Sequence, residues 1–271
     1  LRPRLAPGRK RIPITGWVAH YITRMRQDYL WGAEVIQAHL LYDFDIAIGR
    51  WRIHNYLRRH NLIQRKHKRP TRRREFKTVH VLVPGQHTQI DVKHLPRLLR
   101  NGKKAYVYNF VDHASKWQFK MAFDSYGAWQ TYRFLEALHT AAPFQIQRLQ
   151  TDHGVEFSYR HFHFVSPDGP TEHPLDHFCK VHSIRHALIP VGEKEVNGLV
   201  ERSHRMDDEE LYQTIRPKTL YAFNKILAAH TKWLNQCRRR KPLGWLTAHE
   251  YLQKFKNEIN PAEQNNSQLA A

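Results

Sequence analysis

Thiols, acids and long apolar runs are all scarce in this chain. Two cysteines in 271 residues, Cys179 and Cys237, cannot build a disulfide framework, and they suit a reducing compartment. No run of ~18 uncharged apolar residues occurs, so no segment is expected to span a membrane. Asp+Glu number 24 against 44 Lys+Arg, a formal net charge of +20 before any of the 20 His is counted. The opening Leu-Arg-Pro-Arg is the start expected of a fragment or a trimmed chain, and no secretory leader follows it. What is present is apolar and aromatic: 41% hydrophobic residues, with 7 Trp, 12 Tyr and 13 Phe. That is too rich for a disordered chain and enough for one large domain or two modest ones. A surplus of positive charge on a globular protein points to a polyanion, with nucleic acid the default. Charge alone names no function.

The charge is unevenly spread. Residues 1–80 hold 19 Lys+Arg and 5 Asp+Glu, whereas residues 81–271 hold 25 and 19. The densest stretch, QRKHKRPTRRREFK (64–77), carries 8 Lys+Arg and one Glu. With Pro70 and almost no large apolar residue, it reads as an extended connector. Such a run repels itself unless phosphates neutralise it, so Arg65, Lys66, Arg72, Arg73 and Arg74 are expected on a DNA backbone. A solvated linker is the plainer alternative.

Before the connector the apolar spacing is helical over Trp17–Tyr29, Trp31–Leu41 and about Ile48–Arg59. The third segment places Trp51, Ile53, Tyr56 and Leu57 inward and Arg50, Arg52, Arg58 and Arg59 outward. Two helices joined by a short turn, the second strongly basic, fit a helix-turn-helix DNA-binding domain. A plain helical bundle remains open.

After the connector the period changes to two. HTQIDVKHL (87–95), KAYVYNFVDHA (104–114) and KWQFKMAFD (116–124) read as three strands of an antiparallel meander. An amphipathic helix, Gly127–Ala141, follows. IQRLQTD (146–152) and IRHALIP (184–190) read as further strands, with a helix over Val196–Tyr212. The order is that of a mixed α/β sheet.

Carboxylates stand out against so basic a background. Asp91 sits between Ile90 and Val92, where a buried charge needs compensation. Asp152 closes its strand, the end where α/β sites lie. Glu201 shares a helical stripe with Asn197, Arg205 and Asp208. Three carboxylates without a cysteine cluster favour Mg²⁺ or Mn²⁺ over Zn²⁺. Two such ions ~4 Å apart suit in-line attack on a phosphodiester. The ordinary alternatives are a strand-edge residue, a turn former and a solvated helix charge.

These residues carry a resemblance. QIDVKHLP, QTDHGVEF and NGLVERSHR, in that order, resemble the three carboxylate motifs of insertion-sequence transposases with a retroviral-integrase-type DDE core. NFVDHASKW resembles the passage between that family's second and third strands. KWLNQCRRRKPLGWLTAHEYL resembles its closing helix and tail. The likeness spans roughly residues 17–256. It implies an α/β fold, an RNase H-like mixed five-stranded sheet with flanking helices, preceded by an all-α helix-turn-helix domain. It implies helix-turn-helix at 1–63, basic linker at 64–78, catalytic core at 79–215 and a C-terminal helical extension with polar tail at 216–271. It implies Asp91, Asp152 and Glu201 as a catalytic triad holding two Mg²⁺ or Mn²⁺ ions, with Asp91 bridging them. It implies 3′-end cleavage and strand transfer, with DNA as partner (terminal inverted repeats and target), Asn197 and Arg205 among the DNA contacts, and homo-oligomers on paired ends. It implies a cytoplasmic, nucleoid-associated, bacterial protein, with no membrane partner.

Three departures accompany the likeness. His153 replaces the usual Asn, and could titrate beside the metals. The Asp152-to-Glu201 interval is 49 positions, which fits an inserted surface loop around 158–174. EKEVNG lacks the usual prolines, so Glu193 and Glu195 would begin the helix. His177, Cys179 and His182 match no common zinc spacing. Asp112 is expected to cap a turn, and Glu156 is a weaker candidate. A non-catalytic DNA-binding derivative and an RNase H-like nuclease are the competing functions.

Overall fold

The computed structural model describes residues 14–63, 81–95, 99–160, 165–166, 169–170, 172–190 and 197–259. The basic connector, including Arg65, Lys66, Arg72, Arg73 and Arg74, lies outside them, as do Glu193 and Glu195. The chain divides into two compact units, Leu1–Arg73 and Arg74–Ala271.

In the first unit, helices α1 (Gly16–Tyr29), α2 (Ala33–Phe44) and α3 (Arg50–Arg59) bury Ile22, Ile36, Leu40, Ile53 and Leu57. Trp31 stacks on His39 at 4.3 Å, and His39 Nδ1 meets Asp43 Oδ2 at 2.7 Å, so the buried ring has a polar partner. The hydroxyls of Thr23 and Tyr56 lie 3.1 Å apart and tie α1 to α3. One expectation fails. Trp51 is 67% exposed, not inward. Ile53, Leu57 and the half-buried Tyr56 already fill the inward stripe, and Trp51 falls roughly opposite them.

The second unit is built on strands β1 (Thr88–Leu95), β2 (Ala105–Asp112), β3 (Gln118–Phe123), β4 (Arg148–Thr151) and β7 (Arg185–Leu188). Their order across the sheet is β3-β2-β1-β4-β7. β1–β2 and β2–β3 are antiparallel, whereas β1–β4 and β4–β7 are parallel. A meander followed by helix-linked parallel strands is the mixed sheet of the RNase H-like fold. Helices α4 (Ala128–Ala141) and α5 (Pro174–Val181) cover one face, where Ile90, Tyr108, Phe110 and Leu149 meet Phe134, Leu138 and Phe178. The other face takes α6 (Gly198–Asp207), a π-helical turn (Asp208–Tyr212) and α7 (Leu220–Gln236), with Val107, Ala122, Leu211, Phe223 and Leu227 packed together. Helix α8 (Ala248–Ile259) packs on α7. Within the 158–174 stretch, β5 (Val165–Ser166) and β6 (Gly169–Pro170) form a short antiparallel pair.

β3 is the sheet's edge, and its free backbone groups are closed from α7. Asn235 Oδ1 accepts from Gln118 N and its Nδ2 donates to Gln118 O; Asn224 makes the same pair of bonds with Ala122. Side-chain amides thus replace a sixth strand and shield the edge from pairing with another chain.

Candidate active site

The paired residues of β1 and β4 are Thr88–Leu149 and Gln89–Gln150. Two positions further along each strand come Asp91 and Asp152, abreast of one another beyond the last paired residues. Period-two alternation aims both toward the α6 face, because Ile90 and Leu149 point into the opposite core. Glu201 lies on α6, exposed, one turn before His204. Helix α6 is fixed to the same strand: Gln89 Oε1 accepts the Val200 N–H, and His204 Nε2 lies 3.4 Å from Asp91 Oδ2. That separation is in ion-pair range, but neither ring nitrogen of His204 has a hydrogen-bond partner among the described residues. Each of the three sequence-predicted carboxylates therefore sits on, or beside, the β1–β4–α6 junction. Among the described residues, no three His, Cys, Asp or Glu side chains close into a metal-binding group.

A fourth carboxylate joins them. Burial pushes the Glu156 carboxyl above its ordinary range, and the charges of Asp152 and Asp91 push it further. It folds over Gly154, where a Cβ would meet its carboxyl atoms at 2.6–2.7 Å. Asp152 Oδ1 accepts from the Gly154 N–H at 3.0 Å, so the turn that places Asp152 needs the bare glycine to admit Glu156. The signal in the sequence was its position, four residues after Asp152.

Asp152 has a fixed foundation. The Thr151 hydroxyl donates to the Asp152 carbonyl at 2.9 Å and lies 2.9 Å from His186 Nε2. His186 Nδ1 reaches Asp176 Oδ1 at 2.6 Å, and this bond holds the Asp176 carboxyl below its usual range. His153 Nε2 donates to the Ile189 carbonyl at 2.7 Å, linking the ends of β4 and β7.

Across the sheet from Asp91 the register runs through Asn109 on β2 to Lys120 on β3. Lys120 is fully buried and its ammonium reaches both oxygens of Asp207 on α6 at 2.6 Å. Burial alone would raise the Asp207 carboxyl, but Lys120 and His230 overcome it and hold it below its usual range. Both amide atoms of Asn109 are buried without a hydrogen-bond partner among the described residues. Sequence reading missed Asn109, Lys120, His204 and Asp207, because cross-strand partners are invisible until the register is known.

Asp112 is the buried turn cap expected. Its Oδ1 accepts from Gly85 N, and its Oδ2 from the Ser115 N–H and hydroxyl. Of the DNA-contact candidates, Arg50, Arg58, Arg59 and Arg205 are exposed and Arg52 is half-buried, whereas Asn197 is buried, 4% exposed, where α6 begins.

No family model matches the chain, and no curated protein does. Among solved structures, the chain is similar to the catalytic core domain of BIV integrase, at 20% identity and a TM-score of 0.45, over 64% of this chain and 97% of that one. It is similar to the HTLV-2 integrase catalytic core domain in complex with magnesium, at 19% identity and 0.46, over 64% and 99%. It is also similar to a chain of the simian T-cell lymphotropic virus intasome in complex with PP2A regulatory subunit B56 gamma, at 16% and 0.47, over 81% and 70%.

Proposed function

We propose that this protein is a DDE-type polynucleotidyl transferase, a DNA transposase or integrase that cleaves the 3′ ends of an element and joins them to target DNA. The observation that carries the reading is the placement of Asp91 on β1 and of Asp152 just past the end of the neighbouring parallel strand β4, each two positions on from a paired residue, with the helix bearing Glu201 bonded to β1. The motif order in the sequence supports it independently.

Hard oxygen donors gathered on a basic protein fit a divalent cation in kind. Burial first, and then the charges of Asp152 and Asp91, raise the Glu156 carboxyl, so these three carboxylates feel one another. Asp91, Asp152 and Glu201 are the residues that would hold two Mg²⁺ or Mn²⁺ ions. Bound there, the metal supplies Lewis-acid activation of the scissile phosphate and of the attacking water or 3′-hydroxyl. The chain's own part is to hold the carboxylates in place through the Gly154 turn, the Thr151–His186–Asp176 chain and the Lys120–Asp207 pair. In strand transfer one P–O bond forms to the donor 3′-oxygen as one breaks in the target, so no external energy source is needed.

The α1–α3 unit is proposed to bind element ends as a helix-turn-helix, with Arg50, Arg52, Arg58 and Arg59 facing DNA, and Arg205 meeting DNA near the carboxylates. Connector arginines would contact phosphates, and paired ends would call for an oligomer. No described helix is long and apolar enough to cross a membrane. A cytoplasmic, nucleoid-associated location accords with a DNA substrate.

The test is a strand-transfer assay on the flanking DNA of the gene, used as labelled duplex ends with Mn²⁺ and plasmid target. Wild type should yield joined product. Asp152→Ala should lower it by at least a thousandfold while leaving the Kd for the duplex within about threefold. Full activity in that variant overturns the assignment. Binding without any cleavage by wild type would point instead to a non-catalytic DNA-binding protein, and cleavage without joining to a nuclease.

A further inference from the structure

We infer that α3 reads base edges through a single stripe, Trp51, His54, Asn55 and Arg58, and that these side chains, not the surrounding arginines, set which duplex DNA sequence the protein prefers. This rests on the proposal above that duplex DNA is the partner of the α1–α3 unit.

The four positions follow i, i+3, i+4, i+7 and so share one face of α3. The opposite stripe, Ile53 and Leu57, is buried against the other helices and fixes which way this face looks. Trp51 is 67% exposed. Its ring is held rather than loose: the Arg50 guanidinium lies 5.5 Å from its centroid, and His54 meets it edge-on at 5.8 Å. A large apolar ring kept in water by its neighbours is surface prepared for a partner. Neither the Asn55 nor the Arg58 side chain makes a hydrogen bond or ion pair among the described residues. Their donors and acceptor remain available.

The chemistry of the stripe matches base edges. An Asn carboxamide pairs with adenine N6 and N7, an Arg guanidinium with guanine O6 and N7, and an apolar surface with the thymine methyl. From Trp51 to Arg58 the helix rises about 10 Å, close to three steps of duplex at roughly 3.4 Å each. No acid lies on α3 to repel phosphate. Arg50, Arg52 and Arg59 flank the stripe, where phosphate contacts would add affinity without preference.

The experiment selects duplexes from a random-sequence DNA library with the full chain. Kd is then measured at one salt concentration for the selected duplex and a scrambled one. Asn55→Ala and Trp51→Ala should each weaken the selected duplex by roughly ten- to a hundredfold and leave the scrambled duplex nearly unchanged, whereas Arg58→Gln should weaken both, the selected duplex by roughly tenfold more. Arg59→Gln should weaken both alike. Reselection with Asn55→Ala should lose preference at one base pair. All four side chains lie on the outward face, and thermal melts verify that the variants fold. If wild type selects a sequence and the stripe variants discriminate as well as it does, the stripe is overturned and the DNA reading stands. Binding without preference likewise overturns the stripe alone. If wild type binds no duplex, or an RNA pool outcompetes DNA, the DNA reading itself falls.

Discussion

Lys120 and Asp207 meet at 2.6 Å with essentially no exposed surface. A buried pair of this kind adds little net stability over apolar residues of the same volume, but removing one partner leaves a naked charge in the core. Lys120→Met should therefore cost about 3–5 kcal/mol in urea unfolding. Lys120→Met with Asp207→Leu should recover most of that loss, because neither charge is then left buried without its partner. If the single and double variants unfold at the same urea concentration, the pair is not the anchor described. Nothing in the sequence joined these two residues, which stand 87 positions apart. Asp91, Asp152 and Glu201 were legible because each sits in a run of distinctive residues. Their helpers were not, because Lys120, Asn109 and His204 become neighbours of the site only through strand register and helix packing. His153 likewise finds a partner that sequence did not join to it, the Ile189 carbonyl 36 positions away.

At the scale of elements, the periodicities were informative and the boundaries shifted by a few residues. Strands expected at 87–95, 104–114 and 116–124 run over Thr88–Leu95, Ala105–Asp112 and Gln118–Phe123. The helix expected over Val196–Tyr212 is instead α-helical from Gly198 to Asp207, with a π turn from Asp208 to Tyr212. Helix α5 has only eight residues, too few for a period to stand out in the sequence. The β3 edge gives a prediction. Asn235→Ala removes both partners of Gln118's backbone in a buried setting and should cost about 1–3 kcal/mol. It should also raise the aggregation rate, measured by light scattering, since an open edge pairs with other chains. Unchanged stability and scattering would mean that the amide clamp is dispensable. Trp51 is the clearest misreading. Apolar character placed it inward, but a helix has one inward stripe and Ile53 and Leu57 occupy it.

For the molecule as a whole, stability should fall on mild acidification before most carboxylates protonate. Burial, helped by the nearby His87, Lys116 and Arg148 charges, pushes the His113 pKa down to about 3. Its ring stacks on His87 at 4.3 Å, and His87 is itself lowered by burial and Arg148. The unfolded chain takes up a proton at each ring near pH 6.5, whereas the fold refuses it. Between pH 6.5 and 3 the unfolded state binds more protons at His113, so stability is lost as pH falls through that window. The slope from one such ring is about 1.4 kcal/mol per pH unit. His113→Phe, which keeps a ring against His87, should make the dependence of unfolding free energy on pH shallower by about that amount between pH 6 and 5. An unaltered slope would show that His113 takes up its proton in the fold.

By itself the sequence determined a basic chain, the order of its strands and helices, and the three carboxylates worth following. Those depend on local pattern: charge counts, hydrophobic period and short motifs. Tertiary structure alone decided that Asp91 and Asp152 follow paired residues of neighbouring strands, that Glu156 folds over Gly154, and that a buried Lys120–Asp207 pair pins the helix of Glu201. It also decided which stripe of α3 faces outward. Register and packing bring together residues dozens of positions apart, and no local pattern encodes which of many possible partners burial will choose.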